Sequence, residues 1–138
     1  LDDTLKSLAE KFREEPFAKL FGIDLVELDV GRALVKMEVK DEMINLFKMA
    51  HGGAVFSVMD AAFELAANSY GTVAVALSMS VNYISPALAG KTIYAEAREV
   101  SRSSRISTYD LEVKSSEGEL IAACQAMAYR KKDKLPFL

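Results

Sequence analysis

The chain of 138 residues has one cysteine, one histidine and no long uninterrupted apolar run. The lone Cys124 excludes an internal disulfide and suits a reducing cytoplasm. One cysteine and one histidine leave too few soft ligands for a zinc site, so no metal is expected. A Ser-His-Asp triad could take its base from His51, but the glycine and serine setting of a nucleophile elbow is absent. Cations are not in excess either. The net charge is -3, which gives no electrostatic case for nucleic acid as a partner. The most apolar stretch is broken by Asp60, Glu64 and Asn68, so no segment is expected to span a membrane. The opening LDDTLKSLAEKF is acidic at its tip and lacks the basic-then-apolar signal pattern. What is present is 51% hydrophobic and 27% charged residues. That is the composition of a soluble globular chain, and the length suits one domain over residues 1–138 with a real core.

The hydrophobic period changes along the chain. Residues 3–14 put Leu5, Leu8 and Phe12 on one helical face, with Asp2, Asp3 and Thr4 as N-cap candidates. Pro16 ends or interrupts this helix, and FAKLFG adds a turn closed by Gly22, so residues 1–22 form an N-terminal helical segment. IDLVELDVGRALVKMEV alternates, imperfectly, on both sides of Gly31, which predicts two strands and a hairpin around Val30-Gly31-Arg32. KDEMINLFKMA follows without a clean period.

Residues 53–70 form the strongest helix. Val55, Phe56, Met59, Ala62, Phe63, Ala66 and Ala67 fall on broad helical spacing, and Gly71 is its natural stop. A helix apolar round most of its circumference should be buried. TVAVALSMSVNYI then places Val73, Val75, Leu77, Met79, Val81 and Tyr83 on one strand face, with Ala74, Ala76, Ser78, Ser80 and Asn82 on the other. Pro86 and Gly90 mark a turn, and KTIYAEAREV, RISTYDLEVK and ELIAACQAMAYR read as three more strands. Residues 130–138, RKKDKLPFL, read as a loose tail. The order is helix, two strands, central helix, four strands. That is an α+β layer whose mostly antiparallel sheet must curl over the central helix, because no second helix is apolar enough to cover it.

Chemistry concentrates in AHGGAVFSVMD, residues 50–60. Gly52 and Gly53 stand at a helix start, where unpaired N–H groups and the positive dipole end suit a carbonyl oxygen turning into an oxyanion. His51 sits just outside, and Asn45 adds an amide six residues earlier. Asp60 lies seven residues beyond Gly53, about 10 Å along the helix axis. It cannot readily reach a small group held at Gly52. Two such helices packed antiparallel in a symmetric dimer would bring Asp60 of one chain near Gly52 of the other. Plain structural roles compete with each reading. A histidine before a helix and paired glycines at its start also serve as turn and packing residues. An acid among apolar helix residues is the rarest of these features, because a buried carboxylate is costly unless partnered. Glu64, one turn beyond, could be the solvated acid of the two.

The spacing N-x5-HGG-x6-D, at Asn45, His51, Gly52, Gly53 and Asp60, together with SVNYISPALAGKTIYAEAREV at residues 80–100, resembles the hotdog-fold acyl-CoA thioesterases, in their phenylacetyl-CoA thioesterase (PaaI-like) branch. The resemblance covers about residues 15–130. It implies a long central helix wrapped by a curved antiparallel sheet. It also implies homodimers that pair into tetramers, active sites at the dimer interface, and no cofactor beyond the CoA carried by the substrate. By position, the Gly52 N–H would polarise the thioester carbonyl. Asp60 of the partner chain would be nucleophile or general base, Asn45 would position water or the acid, His51 would orient the loop, and Gly53 would allow close approach. Some relatives hold the water with a serine or threonine on the strand after the helix; the aligned residue here is Ala76. Phe56, Met59 and Phe63 would line the acyl chamber, although such a stripe also serves as plain core. Asn82, Arg102 and Arg105 would contact substrate, with the arginines, or Arg130, Lys131 and Lys132, on the CoA phosphates. These cations read equally well as solvated surface charge. The activity implied is hydrolysis of an aryl-acetyl or medium-chain acyl-CoA in the cytoplasm. The alternatives are a non-catalytic acyl-CoA-binding hotdog module and a hotdog dehydratase acting on hydroxyacyl thioesters.

Overall fold

The computed structural model describes residues 2–138. Helix α1 spans Asp3–Arg13 and is capped by Asp2, whose side chain accepts the Leu5 N–H at 3.0 Å. Leu5, Leu8, Ala9 and Phe12 form its buried face. Helix α2, Pro16–Phe21, starts on its proline and stops at Gly22, whose φ of 67° is the left-handed conformation that glycine adopts cheaply. Strands β1 (Asp24–Asp29) and β2 (Arg32–Glu38) make the expected hairpin. An irregular segment with a short helical turn at Asp41–Met43 leads to α3, Gly52–Asn68. Strands β3 (Thr72–Tyr83), β4 (Thr92–Arg102), β5 (Ile106–Ser115) and β6 (Leu120–Lys134) complete the chain.

All six strands join one antiparallel sheet in the order β1-β2-β4-β5-β6-β3. Helix α3 packs on its inner face, against β2, β3, β4 and β5. The sheet can approach the helix closely because its inner face is lined by small side chains. Ala33, Ala95, Ala97, Ala122, Ala126 and Ala128 are all 0% exposed. Bulk comes from both sides: Val58, Met59, Phe63 and Leu65 of the helix and Met37, Ile93, Tyr109 and Leu111 of the sheet are buried beside them. The Phe63 ring meets Tyr109 edge-on, with centroids 5.4 Å apart. This is the curved sheet around one helix that the element order implies.

Two expectations are corrected. Residues 130–134 are not loose: they continue β6 and pair with the start of β3, Thr72 opposite Lys134. Leu135 is then buried, and its N–H donates to the Gly71 carbonyl at 2.9 Å. The second correction concerns β3. A bulge between Ala76 and Ser78 shifts the register by one residue, and such a shift reverses the faces. Ala74 and Ala76 therefore lie on the α3 side with Met79, Val81 and Tyr83, and Val75 lies on the opposite face.

Candidate active site

Asn45 builds the loop that leads into α3. Its side-chain oxygen accepts the N–H groups of Phe47 at 2.8 Å and Met49 at 3.1 Å, and its own N–H donates to the Met49 carbonyl at 2.7 Å. Lys48 takes a φ of 63° to close this turn. The next residue in the constellation, His51, is the N-cap of α3. Its Nδ1 accepts the Gly53 N–H at 2.8 Å, so the ring proton belongs on Nε2. The Ala54 and Val55 N–H groups both reach the His51 carbonyl. That leaves Gly52 as the one N–H of the first helical turn with no acceptor among the described residues. Gly52 lines a cavity of about 330 Å³ with Asn45, Met49, Val55 and Tyr83. The two glycines are needed for different reasons. A Cβ on Gly53 would stand 3.1 Å from His51 Nδ1, against the cap itself, whereas one on Gly52 would meet only the Tyr83 ring at 3.6 Å.

Asp60 sits half-buried in the middle of α3 and lines a separate cavity of about 230 Å³ with Phe63, Glu64, Ala74 and Ala76. Burial, reinforced by the charge of Glu15, raises its pKa above the usual carboxylate range. Glu64, one turn on, is pushed up to about 8, first by burial and then by a hydrogen bond with Glu15 and by the charges of Glu15 and Asp60. Glu64 itself remains partly open to solvent. Ala76 faces this cavity with a methyl group and offers no hydroxyl to hold water. Beside it, Asn68 lines the same cavity and ties the end of α3 to β3. Its amide donates to the carbonyls of Glu64 at 2.9 Å and Ala74 at 3.2 Å, and its oxygen accepts the Ala74 N–H at 2.9 Å. In the sequence, its signal is a polar amide closing an otherwise apolar helix.

The other candidates are dispersed. Met59, at 0% exposed, is a core residue; Phe63, at 2%, belongs to the core and also edges the Asp60 cavity, and Phe56 is on the accessible side of α3. Asn82 lies on the outer sheet face, in a polar cleft with Ser80, Glu96 and Arg98. The Arg102 guanidinium stacks 3.6 Å above the Tyr70 ring, and Arg130 lies 5.8 Å from that ring. Tyr70 in turn donates to Glu99 at 2.8 Å. Arg105 is on the exposed β4–β5 tip. These arginines flank the C-terminal end of α3, whereas Gly52 lies beside Tyr83 at the far end of β3. The structure does not bring them to Gly52 of the same chain. Among the described residues no group of His, Cys, Asp and Glu converges as a metal-ligand set. No helix is long and apolar enough to cross a membrane.

A family model described as the thioesterase superfamily matches residues 47–122, from the Asn45 loop to the start of β6. The chain belongs to this superfamily. Acyl-coenzyme A thioesterase PaaI of Escherichia coli is 33% identical over 119 residues, covering 86% of this chain and 85% of PaaI. The structure of the E. coli PaaI protein matches with a TM-score of 0.91 at 30% identity, over 95% of each chain. Phenylacetic acid degradation protein PaaI of Thermus thermophilus, solved as a mutant, matches with a TM-score of 0.82 at 38% identity, over 85% of this chain and 100% of its own. A Streptococcus mutans protein solved with acetyl-CoA bound matches with a TM-score of 0.78 at 26% identity, over 82% and 91%. The chain is therefore a hotdog-fold thioester hydrolase of the PaaI-like, acyl-CoA thioesterase kind.

Proposed function

We propose that this thioesterase hydrolyses an aryl-acetyl or medium-chain acyl-CoA at a site shared between two copies of the chain. The observation that carries the reading is that Gly52 and Asp60 line separate cavities within one chain. An oxyanion donor and an acid on one helix serve one carbonyl only if a second chain supplies one of them. Strand β3 offers the means. It is an edge strand, and it exposes Val75 at 45% and Leu77 at 55%. Pairing β3 with its counterpart about a two-fold axis would lay two α3 helices side by side and complete the site twice.

In that arrangement the Gly52 N–H meets the carbonyl oxygen as negative charge develops on it. Asp60 of the partner attacks the carbonyl carbon or takes the proton from an attacking water, and a raised pKa suits it to accept that proton. On the general-base route, loss of the CoA thiolate completes the transfer to water; on the nucleophilic route it leaves an acyl–aspartyl anhydride, which water then hydrolyses to release the acid and restore Asp60. The side-chain amide of Asn45, whose oxygen is engaged by the loop, presents its N–H groups to the water or the acid. The Gly52 amide, side chains and water supply these steps, with CoA as part of the substrate. A buried free thiol at Cys124 fits a reducing compartment such as the cytoplasm.

Complementation tests the shared site. Gly52→Pro removes the N–H at a helix position that favours proline, and His51, at φ -62° and ψ 140°, has the extended backbone that precedes proline readily. This variant and Asp60→Asn should each lose about 10²–10³-fold in kcat as homodimers. A heterodimer of the two, purified on two different tags, holds one intact shared site. It should regain about half of wild-type turnover, one site in two. A heterodimer as inactive as its parents would place both groups in the same chain and overturn the reading.

A further inference from the structure

Apolar room beside the Asp60 cavity is not found at Met59, which is closed into the core. It is a cleft of about 590 Å³ between α1, the α1–α2 junction, the last turns of α3 and residues 135–137. Leu8, Phe12, Leu65, Val73, Leu135 and Phe137 give it apolar walls. It shares Glu64, Asn68 and Ala74 with the Asp60 cavity, so the two spaces adjoin with Glu64 at the boundary. The volume is within the range of small-ligand sites. We propose that this cleft receives the acyl group of the thioester, and that Glu64, backed by Glu15, selects uncharged acyl groups against those ending in a carboxylate. The proposal rests on the thioesterase reading above and adds to it the substrate class.

The charges around Glu64 make the selection. From the α1–α2 junction comes Glu15. From the end of α1 come Lys11 and Glu14, which pair with each other at 3.7 Å. From α3 itself comes Asp60. Strand β3 and residues 135–137 bring only Val73, Ala74, Leu135, Pro136 and Phe137 to the cleft. Among the described residues neither Glu15 nor Glu64 has a cation within ion-pair distance. An acyl group ending in a carboxylate would bring a further negative charge to this pair inside apolar walls, where like charges repel strongly. An uncharged acyl group meets a different cleft. With Glu64 pushed up to about 8 by burial and the neighbouring charges, its carboxyl is mostly neutral at pH 7 and adds no full second charge beside Glu15. As pH rises through that value the second charge forms, and the cleft becomes less hospitable to apolar groups as well.

Hexanoyl-CoA and adipoyl-CoA share a six-carbon chain and differ in the terminal carboxylate. At pH 9, where Glu64 is ionised, wild-type protein should favour hexanoyl-CoA in kcat/KM by about 100-fold, and Glu64→Gln should shrink that ratio at least about tenfold, mostly through KM. Glu15→Gln should move the ratio the same way. The wild-type KM for hexanoyl-CoA should rise several-fold between pH 7 and 9, and stay flat in Glu64→Gln. A ratio unchanged in both folded variants overturns the proposal and leaves the thioesterase reading intact. If neither ester is hydrolysed, the hydrolysis reading fails instead. Calorimetric binding of the matching non-hydrolysable thioether analogues at pH 9 still decides the cleft: it holds if Glu64→Gln narrows their affinity gap, and falls if the gap does not move.

Discussion

His51 acts as a helix cap through an unusual acceptor. Serine, threonine, aspartate or asparagine usually fills this position; here the imidazole Nδ1 accepts the Gly53 N–H at 2.8 Å. The consequence for chemistry is indirect but definite. By consuming the Gly53 donor, the ring leaves Gly52 as the amide free to meet an oxyanion. His51→Ala should lower unfolding stability in urea by about 1 kcal/mol, the usual cost of a lost cap. His51→Asn should recover it to within a few tenths, because asparagine is a favoured cap. If the asparagine variant is as unstable as the alanine one, capping is not what the ring contributes. Activity that stays low in a stable His51→Asn protein would assign the imidazole a further role at the thioester. HGG was legible in the sequence as a helix start with oxyanion character. The division of labour between its glycines was not, because it depends on which N–H the folded ring happens to reach.

At the scale of elements, the critical joint is where α3 hands over to β3. Asn68, 8% exposed, ties the last helical turn to the first residues of β3 through three hydrogen bonds. Replacing it by alanine would leave buried backbone groups of Ala74 unsatisfied, so Asn68→Ala should destabilise the fold by about 2–3 kcal/mol in chemical denaturation. A loss under about 0.5 kcal/mol would mean that water replaces the amide without penalty. The same joint shows where the pattern reading ran out. The helical period of α3 was plain, because Val55, Met59, Ala62, Phe63 and Ala66 are spaced by burial. The alternation in β3 was also plain, but the bulge at Ala76–Ser78 exchanged its faces, and a bulge leaves no mark in a run of small and apolar residues. The tail reads as loose because chain ends are poorly ordered unless something ties them down. Its order comes from pairing with Thr72–Ala74, a contact between residues far apart in sequence. The Glu15–Glu64 pair was hidden for the same reason, since only folding brings α1–α2 onto α3.

For the whole molecule, the two edges of the sheet are unlike. Strand β1 is short and carries Asp24, Glu27 and Asp29, charges that discourage a further strand from adding. Strand β3 is twice as long, TVAVALSMSVNY, and has no charged residue. An uncharged, unpaired edge of that length is an aggregation hazard unless a specific partner covers it. Its exposed Leu77 sits at the bulge, midway along the strand. Leu77→Lys places a charge there, so in sedimentation the variant should run as a monomer where the wild type runs as a dimer or larger. Helix α3 and its core contacts are untouched by that change, so circular dichroism should report a native fold. Acyl-CoA hydrolysis should nevertheless fall at least about 100-fold, the scale of losing one oxyanion donor, because a lone chain keeps Gly52 and Asp60 in separate cavities. Association and activity must be lost together. A folded monomer that turns over acyl-CoA at the wild-type rate would show that one chain suffices, and the unpaired edge would then need another explanation.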